Sequence, residues 1–163
     1  MREDRRAAKP AILFLCLGNI CRSPLAEGAA RAAFAAAGID ATLDSAGTGD
    51  WHVGHPPDHR AQAEARRRGT DISALRARQL VREDFYRFDR ILAADETNLR
   101  DARALAPADG TARLQLMLDL VPHRAGDNVT DPYYGDEGGF AATWDDVSAV
   151  AAALVDRASP ASG

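Results

Sequence analysis

The chain has 163 residues, 46% of them hydrophobic, which suits one core and one domain. Its formal net charge of −4 argues against capture of nucleic acid by charge alone. Its two cysteines sit too close together to staple a distant framework, and its apolar stretches are too short to span a membrane, so the composition reads as that of a cytoplasmic protein in a reducing compartment. Lys9 is the only lysine, and such richness in arginine and alanine suggests a GC-rich, bacterial genome.

Residues 1–9 and 159–163 have little to pack and are expected to form tails around a domain over 10–158. The apolar run 11–15 reads as a first strand and 25–37 as a helix that Gly38 stops. A second strand is expected over 42–46. Pro56-Pro57-Asp58 opens a helix to Arg68, whose Arg66, Arg67 and Arg68 complement the helix dipole before a left-handed Gly69. A third strand covers 90–94, with Asp95 as cap of the helix after it, and a fourth covers 114–118. The final helix, 144–157, places Trp144, Val147, Val150, Ala151 and Leu154 at helical spacing. Alternating strands and helices imply a parallel sheet, doubly wound with helices on both faces, and binding sites beyond the carboxyl ends of its strands. Cys16, Ser45, Asp95 and the segment after strand four all fall at that end.

The first strand runs directly into Cys16-Leu-Gly-Asn-Ile-Cys-Arg-Ser-Pro24. The spacing from Cys16 to Arg22 lets one loop curl its backbone N–H groups around a tetrahedral oxyanion such as phosphate, with the thiol on the loop floor. Leu17, Gly18, Asn19, Ile20 and Cys21 would line that loop, and Gly18 and Asn19 tolerate positive φ. Arg22 offers a planar fork to two oxygens, Ser23 can donate to the sulfur, and Pro24 suits a first helical turn. Among 19 arginines the spacing alone carries little; the strand before it and the hydroxyl and helix start after it carry the reading. The helix N-terminus and Arg22 favour the nucleophilic thiolate.

On these residues the chain resembles the low-molecular-weight protein tyrosine phosphatases over nearly its whole length. Cys16–Pro24 is similar to that family's signature loop, Ser45-Ala-Gly-Thr48 with Trp51 and Gly54 to its variable loop, and Asp131-Pro-Tyr-Tyr-Gly135 to its general-acid loop. Ala77-Arg78-Gln79 and Asp95-Glu-Thr-Asn98 resemble two further motifs. The resemblance implies a four-stranded parallel sheet of flavodoxin-like order and hydrolysis of phosphotyrosine on a protein partner, without metal or organic cofactor. Cys16 would be the nucleophile, Arg22 the phosphate clamp and Asp131 the general acid and base. Pro132 favours an extended Asp131, and Trp51, Tyr133 and Tyr134 would wall the cleft around an aryl phosphate. Cys21 is placed to trap an oxidised Cys16 as a disulfide. The oligomeric state is left open.

Leu75 stands where the family has a histidine that, with a serine, hydrogen-bonds the loop asparagine. Asn19, Ser23 and Ser45 remain, so the loop is either less rigid or held by other groups. Ala94 also replaces a common methionine. His52, His55 and His59 have spacings that suit a metal in principle, but Pro56 and Pro57 interrupt their face and none is expected. An arsenate reductase of this fold needs further cysteines, and a phosphoarginine phosphatase resembles a loop with threonine where Ile20 stands. A phosphopeptide-binding module has no use for a thiolate opposite an acid.

Overall fold

Four parallel strands run in the order β2-β1-β3-β4 through the computed structural model, which describes residues 9–133 and 138–159. The strands are β1 (Ala11–Cys16), β2 (Thr42–Gly47), β3 (Arg90–Ala93) and β4 (Arg113–Leu116). The helices are α1 (Arg22–Ala37), α2 (His59–Arg67), the short α3 (Asp84–Arg87), α4 (Glu96–Leu105) and α5 (Gly138–Ala158), with a 3₁₀ turn at Met117–Leu120. The order is the flavodoxin-like one the resemblance implies. Of the tails expected at 1–9 and 159–163, residues 1–8 and 160–163 lie outside the described residues, as does Tyr134.

The period of two along β1 divides the core. Ile12, Phe14 and Cys16 join the cluster built on α1 and α5, whereas Leu13 and Leu15 join Ile91, Ala93, Leu116 and Phe85 on the other face. Cys16 thus ends the strand on the face that α1 covers. Trp144, Val147, Val150, Ala151 and Leu154 of α5 are all buried against that same cluster, as their spacing predicts.

Several boundaries differ from the sequence expectation, each for a local reason. Helix α1 begins at Arg22, and Gly38 closes it at φ +70° with its N–H on the Ala35 carbonyl. Asp58 caps α2 rather than opening it, accepting from the Arg60 N–H at 2.8 Å, and Gly69 stands at φ +86° beyond its end. Strand β4 stops at Leu116 because Asp119 Oδ2 accepts the Leu116 N–H and turns the chain into the 3₁₀ segment. Helix α5 starts at Gly138, six positions before the expected Trp144; buried Phe140 pays for two helical glycines with its packing. No helix among the described residues is long and apolar enough to cross a membrane.

Candidate active site

The carboxyl ends of β1 and β2 bring the signature loop and the variable loop side by side. Thr48 N–H donates to the Cys16 carbonyl and Gly49 N–H to the Leu17 carbonyl, each at 2.9 Å. A cleft of about 420 Å³ opens there, lined by Cys16, Leu17, Gly18, Ile20, Cys21 and Arg22 from the signature loop. Trp51 and His52 from the variable loop, and Asp131 and Tyr133 from the loop before α5, complete its wall. Cys16 lies at the bottom, 3% exposed, while Trp51 stands at the rim, 67% exposed, its ring folded over Gly49. His52 lies between Tyr133, 6.5 Å away by ring centroids, and His55, 5.8 Å away.

Helix α1 begins inside this site. Its first N–H groups, those of Arg22 and Ser23, have no partner four residues back within the helix, and Pro24 has no N–H to satisfy. The positive end of the helix dipole therefore lies beside the Cys16 sulfur. Ser23 Oγ is 2.9 Å from Cys16 Sγ.

Asn19 and Ser23 do not wall the cleft; they are buried behind it. Asn19 adopts φ +59°, and its side chain bridges three elements. Nδ2 donates to Ser23 Oγ at 2.8 Å and to Ser45 Oγ at 3.0 Å, while Oδ1 accepts the Arg78 N–H at 2.9 Å. Ser23 Oγ accepts from Asn19, and its hydroxyl hydrogen is within reach of both the Cys16 sulfur and the Ala46 carbonyl, 3.5 Å away. Ser45 in turn donates to Glu27 Oε1 at 2.8 Å. The loop is thus held without a donor at position 75, where Leu75 packs on the apolar core instead.

Glu27 is a participant the sequence reading missed. It is 1% exposed, and burial pushes its carboxyl above the ordinary 4.5, against the Ser45 and Arg31 hydrogen bonds that favour its charge. Arg31 Nε approaches Oε2 at 2.8 Å and Nη2 reaches the Leu43 carbonyl at 2.7 Å, tying the acid to β2. Ser23, Glu27 and Arg31 are spaced by four, so a polar stripe on an alanine-rich helix was the available signal. Arg78 was also read only as part of a motif. Its guanidinium is gripped by Asp84 at 3.0 and 3.1 Å and by Asp44, which fixes the backbone N–H that Asn19 needs.

Arg22 is 2% exposed. Its Nη1 donates to Asp95 Oδ2 at 2.7 Å and to the Val129 carbonyl at 2.9 Å, and its Nη2 lies 3.6 Å from Asp131 Oδ2. Burial opposes its charge, yet the Cys16 sulfur, Asp95 and Asp131 together hold it above its ordinary value. Asp95 also caps α4, accepting the Asn98 N–H at 2.8 Å, so both of its oxygens are engaged. Asp131 has one oxygen on the Tyr133 N–H at 3.0 Å and is 38% exposed in its side chain. Cys21 is 4% exposed, and burial, followed by the Asp58 charge, pushes its thiol far up, which keeps it protonated. Both cysteines are free.

Residues 11–159 match the family described as "Low molecular weight phosphotyrosine protein phosphatase". The protein of that name from Schizosaccharomyces pombe is 42% identical over 132 residues, covering 79% of this chain and 84% of that one. Among solved structures, YfkJ from Bacillus subtilis superposes with a TM-score of 0.86 at 36% identity, over 93% of this chain and 96% of that one. DARP, a Drosophila arginine phosphatase, superposes with the same TM-score at 28% identity, over 92% of this chain and 98% of that one. Fold, cleft and relatives together define an α/β phosphoric monoester hydrolase. The chain belongs to the low-molecular-weight protein tyrosine phosphatases.

Proposed function

We propose that this phosphatase hydrolyses phosphotyrosine on a protein partner through a phosphocysteine formed on Cys16. The observation that carries the reading is the meeting of Cys16, Arg22 and Asp131 in one cleft, with the Asp131 carboxyl 3.6 Å from the Arg22 guanidinium. In the first step the Cys16 thiolate attacks phosphorus, the bond to the tyrosine oxygen breaks, and Asp131 gives its proton to that oxygen. In the second, water attacks phosphorus, Asp131 takes the water's proton, and phosphate leaves with return of the thiolate. Arg22, already oriented by Asp95 and Val129, turns its remaining edge to the phosphoryl oxygens, and the loop amides share their charge.

The roles divide by what each side chain has free. Asp95 is committed to Arg22 and to the α4 cap, whereas Asp131, the one carboxylate among the described residues that line the cleft, is partly exposed and is assigned the proton transfer. Asn19, Ser23 and Ser45 hold the loop. Leu17, Gly18, Ile20 and Cys21 surround the phosphate, and Trp51 and Tyr133 face the aromatic ring. Apolar Ile20 and the Trp51 and Tyr133 walls favour a flat aryl group over a guanidinium. A thiol that must stay reduced suits a cytoplasmic setting.

Protonation of the leaving oxygen matters greatly for a basic phenolate and little for an acidic one. Asp131→Asn is therefore expected to slow phosphotyrosine hydrolysis far more than nitrophenyl phosphate hydrolysis, by about 10²-fold or more for the basic leaving group. Equal losses on both substrates in kcat/KM, which reports the phosphoryl transfer to Cys16 and not the common hydrolysis that follows, would remove Asp131 from the acid role.

A further inference from the structure

The short stretch that carries Asp131 is pinned on both sides. Before it, Val129 N–H donates to the Ala94 carbonyl at 2.8 Å, and the Val129 carbonyl accepts from Arg22. After it, the Tyr133 carbonyl accepts from Arg60 Nη2 at 3.1 Å. Arg60 comes from the first turn of α2, outside the residues that line the cleft.

Both the Nε–Nη2 edge of this guanidinium and its face are engaged. Its carbon lies 5.5 Å from the centroid of the Tyr133 ring and 4.9 Å from that of Phe140 in α5, so the group packs between the acid loop and the helix that follows it. Its Nε and Nη2 meet Asp58 Oδ1 and Oδ2, both at 3.0 Å, fork to fork. Asp58 donates its own N–H to the Ile20 carbonyl at 2.8 Å, and Ile20 belongs to the loop that holds Cys16. A continuous set of contacts therefore runs from the nucleophile's loop through Asp58 and Arg60 to Tyr133. Tyr133 N–H holds Asp131 Oδ1 at 3.0 Å, which leaves Oδ2 turned toward Arg22.

We propose that Arg60 is a positioning residue that braces the acid loop against the nucleophile's loop and so sets the Asp131 carboxyl over Cys16. The inference rests on Asp131 being the acid. A half-exposed carboxyl on a loop has to meet the same leaving oxygen, and then the same water, in every turnover, and displacement by an ångström is costly to rate. Charge alone does not make the brace: an ammonium cannot hold Asp58 bidentately, reach the Tyr133 carbonyl and pack against two rings together.

The test compares Arg60→Ala and Arg60→Lys on phosphotyrosine and on nitrophenyl phosphate, each also combined with Asp131→Asn, with melting temperature and circular dichroism to confirm folding. Both Arg60 variants are expected to lose about tenfold in kcat/KM on phosphotyrosine, less for the lysine, and under about threefold in kcat/KM on nitrophenyl phosphate, with inhibition by inorganic phosphate little changed. That leaving-group-dependent loss is expected to vanish in the Asp131→Asn background, since a brace has nothing to position once the acid is gone. Equal losses on both substrates, or additive losses in the double variants, would overturn the brace while a leaving-group-dependent Asp131→Asn kept the acid assignment standing. Loss on Asp131→Asn alone that ignores the leaving group would overturn the acid assignment and the brace with it.

Discussion

Asn19 holds a left-handed φ of +59°, a backbone that strains most L residues by roughly 1–2 kcal/mol. Three hydrogen bonds keep it there, and the one through Ser45 ends on a buried carboxyl, Glu27. Because burial raises the Glu27 value above 4.5, the native state keeps a proton that the unfolded chain has released over the pH window just above 4.5. Stability from this group therefore falls as pH rises through that window. Glu27→Gln removes the titration, so the melting temperature of the variant relative to the parent is expected to rise between acidic and neutral pH, by about 2–4 °C for each kcal/mol. A difference independent of pH would show that Glu27 titrates at its ordinary value. Cys21 is the other buried group to which we assign a task at this scale. Its protonated thiol does not compete with Cys16 for substrate, but it can displace water from an oxidised Cys16 sulfenic acid to form a disulfide. Peroxide inactivation is expected to be reversed by added thiol in the parent and much less in Cys21→Ala; equal recovery would end that role.

At the scale of elements, the end of β2 forms the back of the signature loop. A Cβ on Gly47 would lie 2.6 Å from the Leu17 carbonyl oxygen and 3.2 Å from the Asn19 nitrogen, both backbone atoms with no room to yield. Gly47→Ala is expected to push the loop out of register with Arg22, costing about 1–3 kcal/mol of stability and at least tenfold in phosphate affinity. Titration with inorganic phosphate checks this, and unchanged affinity would mean that the loop is indifferent to β2. Elements governed by neighbours in the chain were legible in the sequence: β1, the α1 stop at Gly38, the Asp95 cap and the packed stripe of α5. Those governed by distant partners were not. Helix α3 forms around Asp84, wholly buried against Arg78, and the end of β4 depends on the Asp119 side chain. The start of α5 was hidden because Gly138-Gly139 reads as a break until Phe140 is seen in the core.

For the whole molecule, the sheet order brings three separate stretches of chain to one cleft: the loop after β1, the loop after β2 and the segment before α5. Cys16, Arg22 and Asp131 could be named from the sequence because each sits in a compact motif. Glu27, Arg31 and Arg60 could not, since a charged side chain in a helix reads as solvent-facing until the fold supplies its partner. What unites the site in the proposed mechanism is a single covalent intermediate. Slowing its hydrolysis with Asp131→Asn, mixing the enzyme with nitrophenyl phosphate, quenching in acid and mapping the adduct by mass spectrometry tests it most directly. One phosphoryl group is expected on Cys16, and none in the same experiment on Cys16→Ser. A phosphoryl group on any other residue, or turnover without an adduct on Cys16, would contradict the mechanism.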